Sequence, residues 1–207
     1  QSLSRAIALE TSVATYHHQL GEVYQRLNQH QEARQELERA IQLDPNLFKP
    51  YFELGMSLEE LDDQQNALHR YTECIQHNAT FLPCYLRLGS LYEDLGYLDQ
   101  AEQVYQQAMQ AVPSGSPELS DVHQRLGTVF QQQGQRDNSV PKLTQAVEEF
   151  RAALRLNPAS SDALFGLGMT YRSLSNRENA RIFLKKFVDT AGSTIPAHYK
   201  TAAQMIL

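Results

Sequence analysis

The dipeptide Leu-Gly recurs five times along the 207-residue chain, at Leu20-Gly21, Leu54-Gly55, Leu88-Gly89, Leu126-Gly127 and Leu167-Gly168. The glycines follow one another at steps of 34, 34, 38 and 41 residues. Three positions after each stands a large apolar or aromatic residue: Tyr24, Leu58, Tyr92, Phe130 and Tyr171. Twelve positions after the first three glycines and the fifth comes an alanine (Ala33, Ala67, Ala101, Ala180), and four further on a large residue, Leu37, Tyr71, Tyr105 or Leu184. Apolar residues at helical spacing within a period of this length describe a pair of helices. One such pair cannot bury both of its apolar faces, so the pairs must stack on one another.

Asn28, Asp62 or Asp63, Gly96 and Gly134 read as the breaks between the two helices of a unit, and Asp44-Pro45, Pro113 and Asn157-Pro158 as unit ends. Two steps exceed the period. About four extra residues fall in Ser114–Leu119, ahead of the fourth glycine. Seven more fall after Gly127, and alignment back from Pro158 makes Ala146 and Phe150 the second-helix pair. That alignment puts the seven in the turn around 134–141, as a loop or an extension of the helices.

The pattern resembles the tetratricopeptide repeat, whose signature is W-x2-L-G-x2-Y, then A-x3-F, then P. The first unit offers His17, Leu20, Gly21, Tyr24, Ala33, Leu37 and Pro45, and the third offers Tyr85, Leu88, Gly89, Tyr92, Ala101, Tyr105 and Pro113. The aromatic position departs from Trp in every unit, with His17, Tyr51, Tyr85, His123 and Leu164 in its place. The resemblance implies an all-α fold, a right-handed superhelical solenoid of stacked antiparallel helix hairpins. The expected repeats span 14–47, 48–81, 82–115, 116–160 (with the inserted linker and turn) and 161–194. Residues 1–13 then read as the second half of an upstream repeat, since Leu3 and Ala6 suit its second helix. Residues 195–207 read as a C-terminal capping helix in which Ile195, Tyr199, Ala202 and Ile206 recur at helical spacing. The N-terminus, Gln1-Ser2-Leu3, has neither Met nor a signal-peptide pattern and reads as a fragment or a processed chain.

Composition narrows the function classes. An apolar share of 42% with 20% charged residues excludes a disordered chain, and a formal charge of −6 argues against a nucleic-acid partner. No apolar run approaches the roughly 18 residues that cross a bilayer, so direct membrane insertion is not expected. The phosphate loop, the zinc-protease helix and the nucleophile elbow are all missing, and neither a catalytic site nor a cofactor is expected. Cys74 and Cys84 read as two small apolar fillers. With His77 they also make three scattered zinc donors, one short of a structural site, so no metal site is expected. Asn78-Ala79-Thr80 is a glycosylation sequon, meaningful only in a secreted chain. The cytoplasm is slightly favoured for this segment.

In the family the first helices of successive hairpins line a concave groove. The resemblance therefore directs attention to positions −6, −3, +1, +4 and +5 from each repeat glycine. The candidate partner-binding residues are His18, Glu22, Phe52, Met56, Glu59, Glu60, Leu86, Glu93, Gln124, Phe165, Met169 and Arg172. One subclass clamps the acidic tails of heat-shock chaperones with Lys and Asn at −3 and +1. Here His18 and Glu22, then Phe52 and Met56, hold those positions, and such a clamp is not expected. Apolar centres in an acidic frame suit instead a protein or peptide with an apolar anchor and basic flanks. Residues 14–115 carry 6 Lys+Arg and 15 Asp+Glu, while 120–207 carry 11 and 7. Such polarity steers a basic partner or supports contact between copies. The expected function is a non-catalytic interaction scaffold, with a self-assembling structural array, a homo-oligomer, as the alternative.

Overall fold

The computed structural model describes the backbone of residues 2–191 and the side chains of residues 13–190. The described residues form ten α-helices: α1 (Ser2–Arg26), α2 (His30–Leu43), α3 (Phe48–Glu60), α4 (Gln64–His77), α5 (Leu82–Asp94), α6 (Leu98–Ala111), α7 (Leu119–Arg136), α8 (Val140–Leu156), α9 (Ser161–Ser173) and α10 (Arg177–Ala191). The chain divides into two compact units, Gln1–Leu91 and Tyr92–Leu207, with the boundary inside α5. In the first unit α1 pairs with α2 and α3 with α4, and α2 packs on α3. In the second, α7 pairs with α8 and α9 with α10, while α6 packs on α7 and α8 on α9.

Each hairpin turn is built the same way. One residue takes the left-handed conformation: Asn28 (φ 57°), Asp62 (59°), Gly96 (78°), Asn138 (51°) and Ser175 (58°). The N–H of the next residue then reaches back to the carbonyl five positions earlier, at 2.8–2.9 Å for Gln29, Asp63, Tyr97, Ser139 and Asn176. This bond satisfies helix-end carbonyls that would otherwise lack a donor. Asn, Asp and Gly bear positive φ at least cost, and Ser175 is the outlier. Between hairpins the chain turns on a different device, in which Asp44, Asn78 and Asn157 accept from the backbone N–H two residues on, at 3.0, 3.1 and 3.2 Å.

The repeat glycines face large side chains of the second helix. A Cβ on Gly21 would lie 2.7 Å from Leu37, on Gly55 2.5 Å from Tyr71, on Gly127 2.9 Å from Phe150 and on Gly168 2.7 Å from Leu184. These are the residues that the spacing pairs with each glycine, including the shifted Phe150. The Phe150 ring also lies 2.5 Å from where a Cβ of Gly166 would stand, so it is held between two glycines on successive hairpins. Gly166 and Gly168 of α9 thus both serve close packing, on Phe150 and Leu184. Ala33, Ala67, Ala101, Ala146 and Ala180 are all buried beside these contacts.

Several expectations are corrected. The seven extra residues do not make a longer turn: Gly134 lies within α7, Pro141 is in the first turn of α8, and the turn between the helices is as short as the others. α7 runs nine residues past its repeat glycine where α1, α3, α5 and α9 run five, and α8 has 17 residues where α2, α4 and α6 have 14. Gly134 serves close approach rather than chain reversal, since its Cβ would lie 2.8 Å from Leu143. The added turn is tied down by the buried Gln133, whose amide donates to Asp99 (2.9 Å) and Glu102 (3.0 Å) of α6. Ahead of α7 the linker spans 112–118, longer than the four-residue links elsewhere. Val112 occupies the place held by Asp44, Asn78 and Asn157, so the tight side-chain turn is not formed there. Residues 2–13 are not a separate upstream helix but run on into α1, consistent with the absence of Gly or Pro between Ser2 and Val13. The expected capping helix at 195–207 lies outside the described residues.

The cysteines are also corrected. Cys74 of α4 and Cys84 of α5 are both buried and joined by a disulfide across ten residues of sequence. The bridge closes the zinc alternative, and His77 instead stacks on Tyr51 at 4.8 Å. Structural disulfides persist in oxidising compartments, which counts against the cytoplasmic setting. Two outcomes are expected. Alkylation of the unfolded, unreduced chain should leave both cysteines unmodified by mass spectrometry, and reduction should cost roughly 2–3 kcal/mol in urea unfolding. Ser175→Gly should raise stability by about 1 kcal/mol in the same assay, because it relieves the one left-handed turn residue without a preference for that conformation.

Candidate partner-binding site

The candidate residues lie on α1, α3, α5, α7 and α9. Most are half-buried; Glu60 and Arg172 are exposed. In the first unit two depressions open along α1 and α3. One, of about 280 Å³, is lined by Met56, Glu59 and Glu60 together with Gln25, Arg26, His30 and Arg87. Two carboxylates, Glu59 and Glu60, and two arginines, Arg26 and Arg87, share its wall with Met56. Arg87, two residues before its repeat glycine, is a residue the groove positions miss. The other depression, about 440 Å³, is lined by His18 and Glu22 with Thr15, Gln19, Leu47, Phe48, Lys49 and Pro50.

The position four residues after the glycine does structural work. In α1, Gln25 donates to the carbonyl of Glu53 (2.6 Å) and to the Ser57 hydroxyl (2.8 Å), linking the first hairpin to the second. In α7, Gln131 donates to the Gly166 carbonyl (3.1 Å) and the Thr170 hydroxyl (2.8 Å), the same two offsets in the next hairpin. Where that position is Glu the bond turns inward. The Tyr71 hydroxyl donates to Glu59, and Tyr105 donates to Glu93 at 2.6 Å. Burial raises the Glu93 carboxyl above its ordinary value, against the pull of the Tyr105 hydroxyl and Arg125. Glu59 and Glu93 are therefore engaged by their own hairpins rather than free at the rim.

The aromatic position of the signature is explained as well. His17 Nδ1 lies 2.6 Å from Glu36 and His123 Nδ1 2.6 Å from Glu149, each across its own hairpin. Tyr51 and Tyr85 instead donate to the carbonyls of Pro45 and Ala79, both at 3.0 Å. Of the apolar candidates, Phe52 meets Phe81 edge-on at 5.5 Å and Tyr71 at 6.0 Å, and it packs on the Tyr51, Cys74 and Cys84 cluster. In the second unit Phe165 and Met169 pack on Leu164, Leu184 and Phe187. These three are in part packing residues. Met56, by contrast, lines the cavity of about 280 Å³.

His18 approaches Glu53, a residue only 8% exposed and two positions before its glycine. His18 Nε2 lies 2.8 Å from Glu53 Oε2 in a buried ion pair, and neither atom has another hydrogen-bond partner. The contact with Glu53 holds the imidazole above its ordinary value against the opposing effect of burial. Burial raises the Glu53 carboxyl, which His18 draws down and Glu22 pushes further up. Glu53 was outside the sequence-derived set, since its position faces the preceding hairpin rather than a groove.

Tetratricopeptide-repeat family models match residues 14–47, 82–113 and 125–193, and the chain belongs to that family. No curated protein matches the sequence. Among solved structures the chain is similar to PilF of Pseudomonas aeruginosa, with TM-score 0.74, 20% identity, and coverage of 92% of this chain and 81% of that one. It is similar to MamA from Desulfovibrio magneticus RS-1, with TM-score 0.71, 17% identity, and coverage of 88% and 97%. A third is YrrB, described as a tetratricopeptide-repeat protein with an unusual peptide-binding site, with TM-score 0.69, 19% identity, and coverage of 97% and 98%. At these identities the likeness speaks to the fold, an all-α stack of antiparallel hairpins. Among the described residues no helix is long and apolar enough to cross a membrane.

A pH test follows from Glu93. Its raised value means that the fold disfavours the charged form, so its contribution to stability is full at low pH and lost as pH rises through the folded value. Glu93→Gln keeps an acceptor for Tyr105 and removes the charge. The variant should be at least as stable as wild type at pH 7. Its advantage should shrink as pH falls toward about 4, where free Glu titrates. Urea unfolding at several pH values reads the difference; an advantage that grows on acidification would contradict it.

Proposed function

We propose that the chain is a non-catalytic protein-interaction scaffold, built of repeats at 14–47, 48–81, 82–115, 116–160 and 161–194, that binds a partner segment on its first-helix faces. Membership of a repeat family whose members are typically non-catalytic interaction modules supports the scaffold reading. The observation that carries the finer one is the cavity in which Met56 lies beside Glu59 and Glu60. An apolar side chain entering that cavity would be shielded from water on the side of Met56, and a neighbouring Lys or Arg would meet Glu60, the exposed carboxylate. Arg26 and Arg87 on the same wall favour an acidic or carbonyl group at the next position of the segment. The peptide-binding site of YrrB supplies a precedent for a segment held by such a fold.

Selection from a random displayed-peptide library tests the reading. The selected peptides should share an apolar residue beside a basic one. Met56→Ala should weaken them by about 2 kcal/mol, since apolar anchors dominate such interfaces. Glu60→Lys should act mainly through association rate and salt dependence. Peptides bound equally well by both variants would remove this cavity from the function. A solution mass that rises at low salt, with no peptide selected, would favour the self-assembling array, to which the uneven charge of residues 14–115 and 120–207 is also suited.

A further inference from the structure

The geometry points to a binding site for one divalent transition cation, of the zinc type, formed by His18 and Glu22 of α1 and Glu53 of α3. One ligand atom from each lies within 4.8 Å of the other two. His18 and Glu22 stand one helical turn apart and present to the same side, and Glu53 comes from the facing helix. The set is imidazole plus two carboxylates, which suits Zn²⁺, whose bonds to N and O run about 2.0–2.2 Å. Donors on one tetrahedral ion sit about 3.4 Å apart at those bond lengths, so His18 and Glu53, now at 2.8 Å, need to part only slightly.

The cluster is more than a plain ion pair, because the Glu22 carboxylate joins it. His18 Nε2 and Glu53 Oε2, 2.8 Å apart, are buried and have no hydrogen-bond partner outside the pair. The Glu53 side chain is only 11% exposed. Glu22 and Glu53 converge on His18 from two helices, so a cation held among the three would meet two carboxylates and an imidazole at once. The remaining coordination position would face the cavity of about 440 Å³ that His18 and Glu22 line, leaving room for water or a donor from another molecule. Lys49, on the same wall, is exposed and has space to swing away. The inference does not rest on the peptide-binding reading.

The test is calorimetric titration of the chain with Zn²⁺ in chelator-free buffer, repeated with Co²⁺ to read the ligand field in the visible spectrum. Wild type should take up one equivalent. Glu22→Gln and Glu53→Gln should each weaken binding at least tenfold, and His18→Gln with Glu53→Gln should abolish it. Glu36→Gln and Glu149→Gln, which disrupt the two other His–Glu pairs across hairpins, should leave it unchanged. Zn²⁺ should raise the melting temperature of wild type but not of Glu22→Gln, because a ligand that binds only the folded state stabilises it. If Glu53→Gln does not fold, judged by circular dichroism, Glu22→Gln decides alone. No uptake by wild type, uptake unchanged in Glu22→Gln, or an equal loss in Glu36→Gln overturns the site.

Discussion

The contact on which the structure depends is the seat of a large second-helix side chain on a first-helix glycine. At Gly21, Gly55, Gly127 and Gly168 no Cβ fits without displacing Leu37, Tyr71, Phe150 or Leu184. The absence of that one carbon lets the two helices of a hairpin approach until apolar side chains fill the space between them at the density of a protein interior. Everything else is placed by this approach. It sets which residues of the first helix face inward, and so which remain for the next hairpin. Phe150, shared by Gly127 and Gly166, carries the same contact from one hairpin to the next.

Once the helices are that close, polar groups between them must be satisfied within the fold. The position after the glycine by four residues shows two solutions to this requirement. Gln25 and Gln131 donate forward to a carbonyl and a hydroxyl of the following hairpin, so they couple neighbours. Glu59 and Glu93 accept from Tyr71 and Tyr105, so they close their own hairpin. The choice follows the second helix, where a Tyr supplies the hydroxyl that a Glu needs and Leu37 does not. Burial beside those carboxylates raises the Tyr71 and Tyr105 hydroxyls far above their ordinary value, so both remain protonated donors.

What could be read from the sequence is what packing forces into residue identity. Glycine with its large partner can be recognised by spacing alone, and even the displaced Phe150 follows from counting back from Pro158. Asn28, Asp62 and Gly96 were legible as turn residues because few side chains tolerate their backbone conformation. Gly134 was not, since glycine serves equally for chain reversal and for close approach, and only the neighbouring Leu143 distinguishes the two. Ser175 carries no such signal at all. The disulfide was hidden because two cysteines ten apart announce no framework, although their offsets place them on adjacent helices. The site was least legible. Half-exposed positions such as Phe52 and Met56 look alike in a periodic pattern, and only the depth around each separates a packing residue from a cavity wall.

The lengthened hairpin of α7 and α8 shows how such a chain tolerates change in length. Four added residues carry the first arm about one turn further, and three bring the second arm back, at 3.6 residues per turn. Both arms therefore present nearly the same faces to α6 and α9 as unmodified arms would. An addition of seven is nearly two turns shared by the pair. Five residues placed in one arm would instead swing its end by roughly 140° and turn apolar positions outward. Growth in paired turns is thus a route by which one hairpin of an array changes its reach while the stacking on either side is left alone.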